Sequence, residues 1–239
     1  MTTRLFHTAL VLVMLTITAA TATAQKKTGH DLQDAVKRVD AASAVMTEIM
    51  SIRDKSIPRD LLEKAKAVIV FPGVIKGAFI VGGQGGKGVA VRRLGQKWSA
   101  PAFLNMAGGS IGFQIGGSKT DYILLVMNDK GMKGLVEDKF ELGGEGSVAA
   151  GPIGRTAAAS TNATFDAEIL TYSRSKGLFA GIDLDGSVLS QNQDDTRAMY
   201  GDAVPFDTIL KGNKVTPEEA RPFVRTVAKY FVAAKAENK

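Results

Sequence analysis

The chain has no cysteine, one tryptophan and two histidines in 239 residues. Without cysteine there is no disulfide framework, no lipid-modified thiol and no thiol chemistry, so the fold is held by its core alone. The histidines, His7 and His30, both fall near the start, which leaves none to complete a zinc site or a nucleophile triad further on. No apolar run reaches the about 20 residues that a membrane-spanning helix needs. Acidic residues are missing from a whole region. Between Lys64 and Thr120 there is no Asp or Glu, while Lys64, Lys66, Lys76, Lys87, Arg92, Arg93, Lys97 and Lys119 carry eight positive charges. From Asp121 to Asp207 the balance reverses, with fourteen acidic residues against seven basic ones. That asymmetry fits a molecule with one face suited to anionic partners, and equally a fold that interleaves the halves and cancels the field.

What is present begins with an export signal. Arg4, an apolar run from Ala9 to Ala20 and the small-x-small triplet Ala22-Thr23-Ala24 form the three parts of a cleaved secretory peptide over residues 1–24. Residues 25–239 then form a single domain, large enough to bury a core without staples. The organisation predicted is N-terminal helices over 31–66, a glycine-rich sheet over 67–190 and C-terminal helices over 191–239. Leu32, Val36, Val39, Met46 and Met50 recur at helical spacing, interrupted by Ser43, and predict an amphipathic helix over 31–53 that packs on the sheet or inserts in a membrane. Ser56 and Pro58 open a short second helix.

Residues 73–186 contain 23 of the 26 glycines, threaded through short runs rich in Val, Ile and Phe. Val68–Phe71, Ala78–Val81, Val89–Arg92, Tyr122–Met127, Phe165–Tyr172 and Leu178–Ile182 read as strands. Glycine weakens a strand unless a bulge, a bend or close packing requires it. The fold class expected is therefore α+β, with a strongly bent, barrel-like antiparallel sheet packed with N-terminal and C-terminal helices. Asn128–Glu137, Asp194–Tyr200 and Val204–Leu210 read as short helices. Thr216-Pro217-Glu218-Glu219 reads as a capping box before a last helix that carries Phe223, Val224, Val227 and Phe231 on one side.

Three glycine-containing motifs fail their context. Gly83-Gln84-Gly85-Gly86-Lys87-Gly88 matches a dinucleotide fingerprint, but strand residues follow it where a helix N-terminus must meet the pyrophosphate, so it reads as a tight hairpin turn. In Gly112–Thr120, Lys119 stands one position late for a phosphate loop. Asp183-Leu184-Asp185-Gly186 opens like a calcium loop, but Val188 stands where glycine is needed, and a hairpin turn is the reading. The carboxylates Glu137, Asp138, Glu141 and Glu145 cluster without a spacing that demands an acid and base pair. No catalytic residue, cofactor or metal is therefore assigned. Trp98, beside Arg92, Arg93 and Lys97, is either an interfacial anchor or a core residue.

Read in order, several segments resemble the SYLF domain family. They are Lys64–Pro72, the glycine-rich stretch to Val91, Trp98-Ser99-Ala100-Pro101, Gly112–Gly117, Thr120-Asp121, Gly151–Arg155, Tyr172–Gly181, Gly186-Ser187-Val188 and Met199-Tyr200-Gly201. The resemblance spans about residues 30–236. It implies binding to phosphoinositides and other anionic lipids as in eukaryotic members, with actin binding in some of the members. Read as exported, the chain is expected to meet neither actin nor cytoplasmic phosphoinositides, and none of the appended signalling domains of eukaryotic relatives is expected. The expectation is thus a non-enzymatic periplasmic or secreted protein, peripherally membrane-associated. It binds anionic phospholipid through Lys64, Lys66, Lys76, Lys87, Arg92, Arg93, Lys97 and Trp98, or alternatively serves as a scaffold for an envelope protein partner. Nucleic acid is not expected, because no aromatic-interleaved basic motif accompanies the charge.

Overall fold

Strand β1 (Ala67–Phe79) shows how the sequence builds the sheet. It pairs with β2 (Val81–Leu94) on one side and β5 (Gly116–Val126) on the other, both antiparallel. Val68 and Val70 face one core while Ile69 and Phe71 face another, so both faces of the strand are buried and its sequence is almost continuously apolar. A computed structural model describes residues 29, 31–52, 56–79, 81–110, 116–137, 139–144, 146–154, 166–175 and 178–237. The expected export signal, residues 1–24, lies outside them.

The remaining strands are β3 (Lys97–Trp98), β4 (Ala102–Ser110), β6 (Lys139–Glu141), β7 (Val148–Ala150), β8 (Ile169–Ser175), β9 (Leu178–Gly181) and β10 (Val188–Gln191). They form one curled sheet in the order β6-β10-β4-β2-β1-β5-β8-β7, with β3 beside β2 and β9 beside β8. Among these strands every pairing is antiparallel except β7 with β8.

On one face lie α1 (residues 31–51), α2 (Arg59–Lys64) and α6 (Arg221–Glu237); on the other lie α3 (Asp129–Leu135) and α5 (Phe206–Leu210). Helix α4 (Gln193–Tyr200) follows β10. Helix α1 packs on the sheet. Its fully buried line is Ala35, Val39, Ala42, Met46 and Ile49, with Leu32, Val36 and Met50 at the margin. Ser43, which interrupts the apolar stripe, shares a 2.7 Å hydrogen bond with Thr226 of α6.

Several local expectations are corrected. The two strands read at Val68–Phe71 and Ala78–Val81 are not separate strands: β1 continues to Phe79, which pairs with Val81 at the start of β2. Between Phe71 and Val74 the register slips. Pro72, with no N–H to give the ladder, and Gly73, at φ +61°, sit in this bulge. Asp121 holds it, its Oδ1 accepting the Gly73 N–H at 2.8 Å while Arg174 Nη2 donates to Oδ2 at 2.7 Å. The Gly83–Gly88 run is not a turn but the interior of β2. Gly86 and Gly88 are needed there because neighbours come too close: a Cβ at Gly86 would lie 2.7 Å from Val74 Cγ2 and one at Gly88 2.5 Å from Phe71 Cδ1. The Asp183–Gly186 turn joins β9 to β10, which do not pair, so it closes no hairpin. Pro58 and Pro217, rather than Ser56 and Thr216, occupy the cap positions, and neither helix start has a side-chain cap. Pro222 lies in the first turn of α6, where its missing N–H costs no helical bond.

Candidate surface-binding site at the β2–β3 hairpin

Gly95, at φ +64°, turns the chain out of β2 and back into β3, pairing Arg93 with Trp98 and Leu94 with Lys97. Successive strand residues point to opposite faces, so Arg92 and Arg93 part company here. Arg93 turns towards the helices. Its Nη1 donates to the Glu63 carbonyl at 2.9 Å, and its guanidinium lies 5.0 Å from the centre of the Phe231 ring on α6. Trp98 meets the same ring edge-on at 5.6 Å. Such contacts pre-order a cation beside two half-exposed aromatic rings.

Arg92 turns the other way, towards Lys66 and Asp129. Lys66 Nζ lies 2.6 Å from Asp129 Oδ1. The hydrogen bond and charge of Lys66, with a smaller contribution from Arg92, hold the Asp129 carboxyl below its ordinary range. Lowering the folded-state value means the pair persists at neutral pH and is lost only as pH falls through that lowered value. Lys64, at the end of α2, and Lys97 are exposed. The loop after α5 joins this end because Gly212, at φ +86°, packs so closely on Leu94 that a Cβ would lie 2.5 Å from its Cδ1. Around Gly212 in sequence lie Lys211, which is 2.8 Å from Asp207, then Lys214, and Val215, which is 85% exposed. Val232, next to Phe231, is 64% exposed.

The structure therefore gathers Lys64, Lys66, Arg92, Arg93, Lys97 and Trp98 around one end of the sheet and sets Lys76 and Lys87 apart. Lys76 stands roughly 30 Å further along β1 at ~3.3 Å per residue, its Nζ 5.3 Å from the centre of the Tyr122 ring. Lys87 is 3.3 Å from Asp195, whose other oxygen takes Arg38 at 2.7 Å. A cleft of about 950 Å³ beside this group is lined by charges of both signs, among them Asp31, Asp194 and Arg197. Among the described residues no group of acidic and histidine side chains could hold a metal, and no helix is long and apolar enough to cross a membrane. Sequence reasoning missed Val215 and Val232, and it placed Phe231 only in a packing stripe. The loop's approach to Leu94 joins distant segments and leaves no local signal.

In architecture this is a curled-sheet α+β domain with a basic end faced by aromatic rings. The chain belongs to the Ysc84 family, described as Las17-binding protein actin regulator, whose family model matches residues 107–230. The SYLF resemblance and this match are the same assignment. The chain is similar to LAS seventeen-binding protein 3 of Saccharomyces cerevisiae, with 37% identity over 178 residues that cover 73% of this chain and 39% of the relative. It is similar to Protein YSC84 of the same yeast, at 36% over 176 residues covering 72% and 37%. It is also similar to human SH3 domain-containing YSC84-like protein 1, at 34% over 194 residues covering 80% and 56%. The matched region thus spans between about a third and somewhat over half of these relatives' length.

Proposed function

We propose that this chain is a non-catalytic, exported protein of the cell envelope that docks on an anionic phospholipid surface through the β2–β3 end. The observation that carries the reading is the convergence of five of the seven expected cations, with Trp98 and Phe231, at one end of the sheet. Export to the periplasm or beyond rests on the signal in residues 1–24. Each cation near an anionic surface contributes on the order of 1 kcal/mol, and the exposed Val215 and Val232 add apolar contact. A second reading, docking of an envelope protein on the same end, is favoured by printed names, since one relative is named LAS seventeen-binding protein 3 and the family is described as Las17-binding protein actin regulator.

Co-sedimentation with phosphatidylglycerol and phosphatidylcholine vesicles over a salt series separates the two. The expected result is pelleting with the anionic vesicles only, lost by roughly 0.5 M salt. Replacing Lys64 and Lys97 by Gln weakens it about thirtyfold at ~1 kcal/mol per charge. Asp129→Asn strengthens it roughly fivefold by releasing Lys66 from its partner. Pelleting that is equal with both lipids and insensitive to salt removes the electrostatic mechanism. Capture of an envelope protein by a chain with no vesicle affinity selects the second reading.

A further inference from the structure

The helices on one side of the sheet cover only part of it. Beyond the β1 bulge that face continues uncovered by α1, α2 or α6, and Ile75, Gly77, Gly83, Gly85, Ala107 and Lys119 are exposed there, Ile75 by 59%. Residues directly opposite in antiparallel strands share a face. The ladders therefore define one row across six strands: Lys119 on β5, Ile75 on β1, Gly85 on β2, Ala107 on β4, Val188 on β10 and Glu141 on β6. Read from either end the row runs charged, aliphatic, small, small, aliphatic, charged, and its two ends carry opposite charge. The row beside it is Gly117, Gly77, Gly83 and Gly109, in register on four adjacent strands.

Nothing in the described chain requires glycine at three of these positions, Gly77, Gly83 and Gly109. A Cβ at Gly77 or Gly109 meets no heavy atom within 4 Å, one at Gly83 meets only a backbone oxygen at 3.9 Å, and none of the three has a positive φ. Glycine in a strand interior weakens it unless something must approach the backbone closely.

We infer that this face receives a second copy of the chain, sheet on sheet, about a two-fold axis that lies between the sheets and parallel to the strands. That symmetry reverses the strand order, as an isologous contact requires. Lys119 then lies over Glu141 of the second copy and Glu141 over its Lys119. Ile75 meets Val188, Gly85 meets Ala107, and Gly83 stacks on Gly109, with the bare row letting the sheets approach. Two similarly twisted sheets stack in this aligned manner in β-sandwiches. The row is about 24 Å wide at ~4.8 Å per strand. Two such rows cover on the order of 600 Å² over both copies, below the ~1,000 Å² of a stable complex, so the dimer is transient in dilute solution and is strengthened where copies are concentrated on a surface. This inference does not depend on the lipid reading.

Sedimentation velocity of the full chain at low salt, up to about 1 mM, tests it. The expected result is concentration-dependent dimerisation that Lys119→Glu weakens at least tenfold and that the swap Lys119→Glu with Glu141→Lys restores. Within one copy these residues stand at opposite ends of the row, roughly 24 Å apart, so recovery by the swap reports pairing between copies. Gly77→Val with Gly109→Val removes the dimer while keeping the thermal midpoint. A chain monomeric throughout the range, a swap that does not recover association, or glycine variants that still dimerise overturns the inference. A fall in midpoint in the glycine variants assigns these residues to sheet curvature and overturns it too.

Discussion

Gly88→Val is expected to cost about 3 kcal/mol of folding stability and to lower the thermal midpoint by roughly 10 °C. At this position a Cβ would lie 2.5 Å from Phe71 Cδ1 and 2.6 Å from the Val70 carbonyl oxygen. The ring belongs to the fully buried core, and the carbonyl belongs to a strand locked by ladders on both sides. Neither can give way without breaking pairs in β1, so the added side chain forces β2 outward. Gly85→Val serves as the control. There the nearest atom is a backbone oxygen at 3.8 Å, and the added side chain is expected to leave the midpoint unchanged or raise it. Loss at Gly85 equal to that at Gly88 would show that backbone entropy, not crowding, sets the cost.

Asp195→Ala is expected to cost about 2–3 kcal/mol, read from urea unfolding at pH 7. Its carboxylate is 7% exposed and holds Arg38 of α1, itself 18% exposed, at 2.7 Å. Asn192 caps the same residue, its side-chain oxygen accepting the Asp195 N–H at 3.1 Å. Removing the carboxylate leaves a mostly buried guanidinium without its counter-charge. The figure is set below that for a fully buried pair because Lys87, the second partner, is 45% exposed. A double variant, Arg38→Leu with Asp195→Ala, is expected to recover part of the loss, since no buried charge is then stranded. Faster amide exchange over residues 31–38 in the single variant identifies the start of α1 as the segment released.

These two positions also mark how far the sequence was legible. Periodicity gave α1 its existence and limits, because an amphipathic stripe is a local signal. The glycine-rich texture gave a bent sheet, because so many glycines within apolar runs have few other uses. It did not give the meaning of each glycine. Gly83–Gly88 reads as a turn until Phe71 and Val74 are seen against it, and that contact is made between strands. Pairings such as Arg38 with Asp195 lie far apart in the chain and leave no trace in spacing. The basic stretch was visible as an absence of Asp and Glu, but its geometry depended on strand parity and on the bulge at Gly73. Arg92 and Arg93 face opposite ways, Lys76 lies far along β1, and Lys87 is claimed by an aspartate from the second half. What stays together at one end is Lys64, Lys66, Arg92, Arg93 and Lys97, with Lys66 paired to Asp129. The loop at Gly212 joins it through close packing on Leu94, which no local pattern announces.

Trp98 is the single tryptophan of the chain and stands against Phe231 at that basic end, so selectively excited tryptophan emission reports on this place alone. Titration with phosphatidylglycerol vesicles is predicted to shift its emission to shorter wavelength, with no change on phosphatidylcholine and reversal by roughly 0.5 M salt. Emission that stays constant while the protein pellets with the anionic vesicles would put the contact elsewhere on the molecule and contradict the assignment of the β2–β3 end.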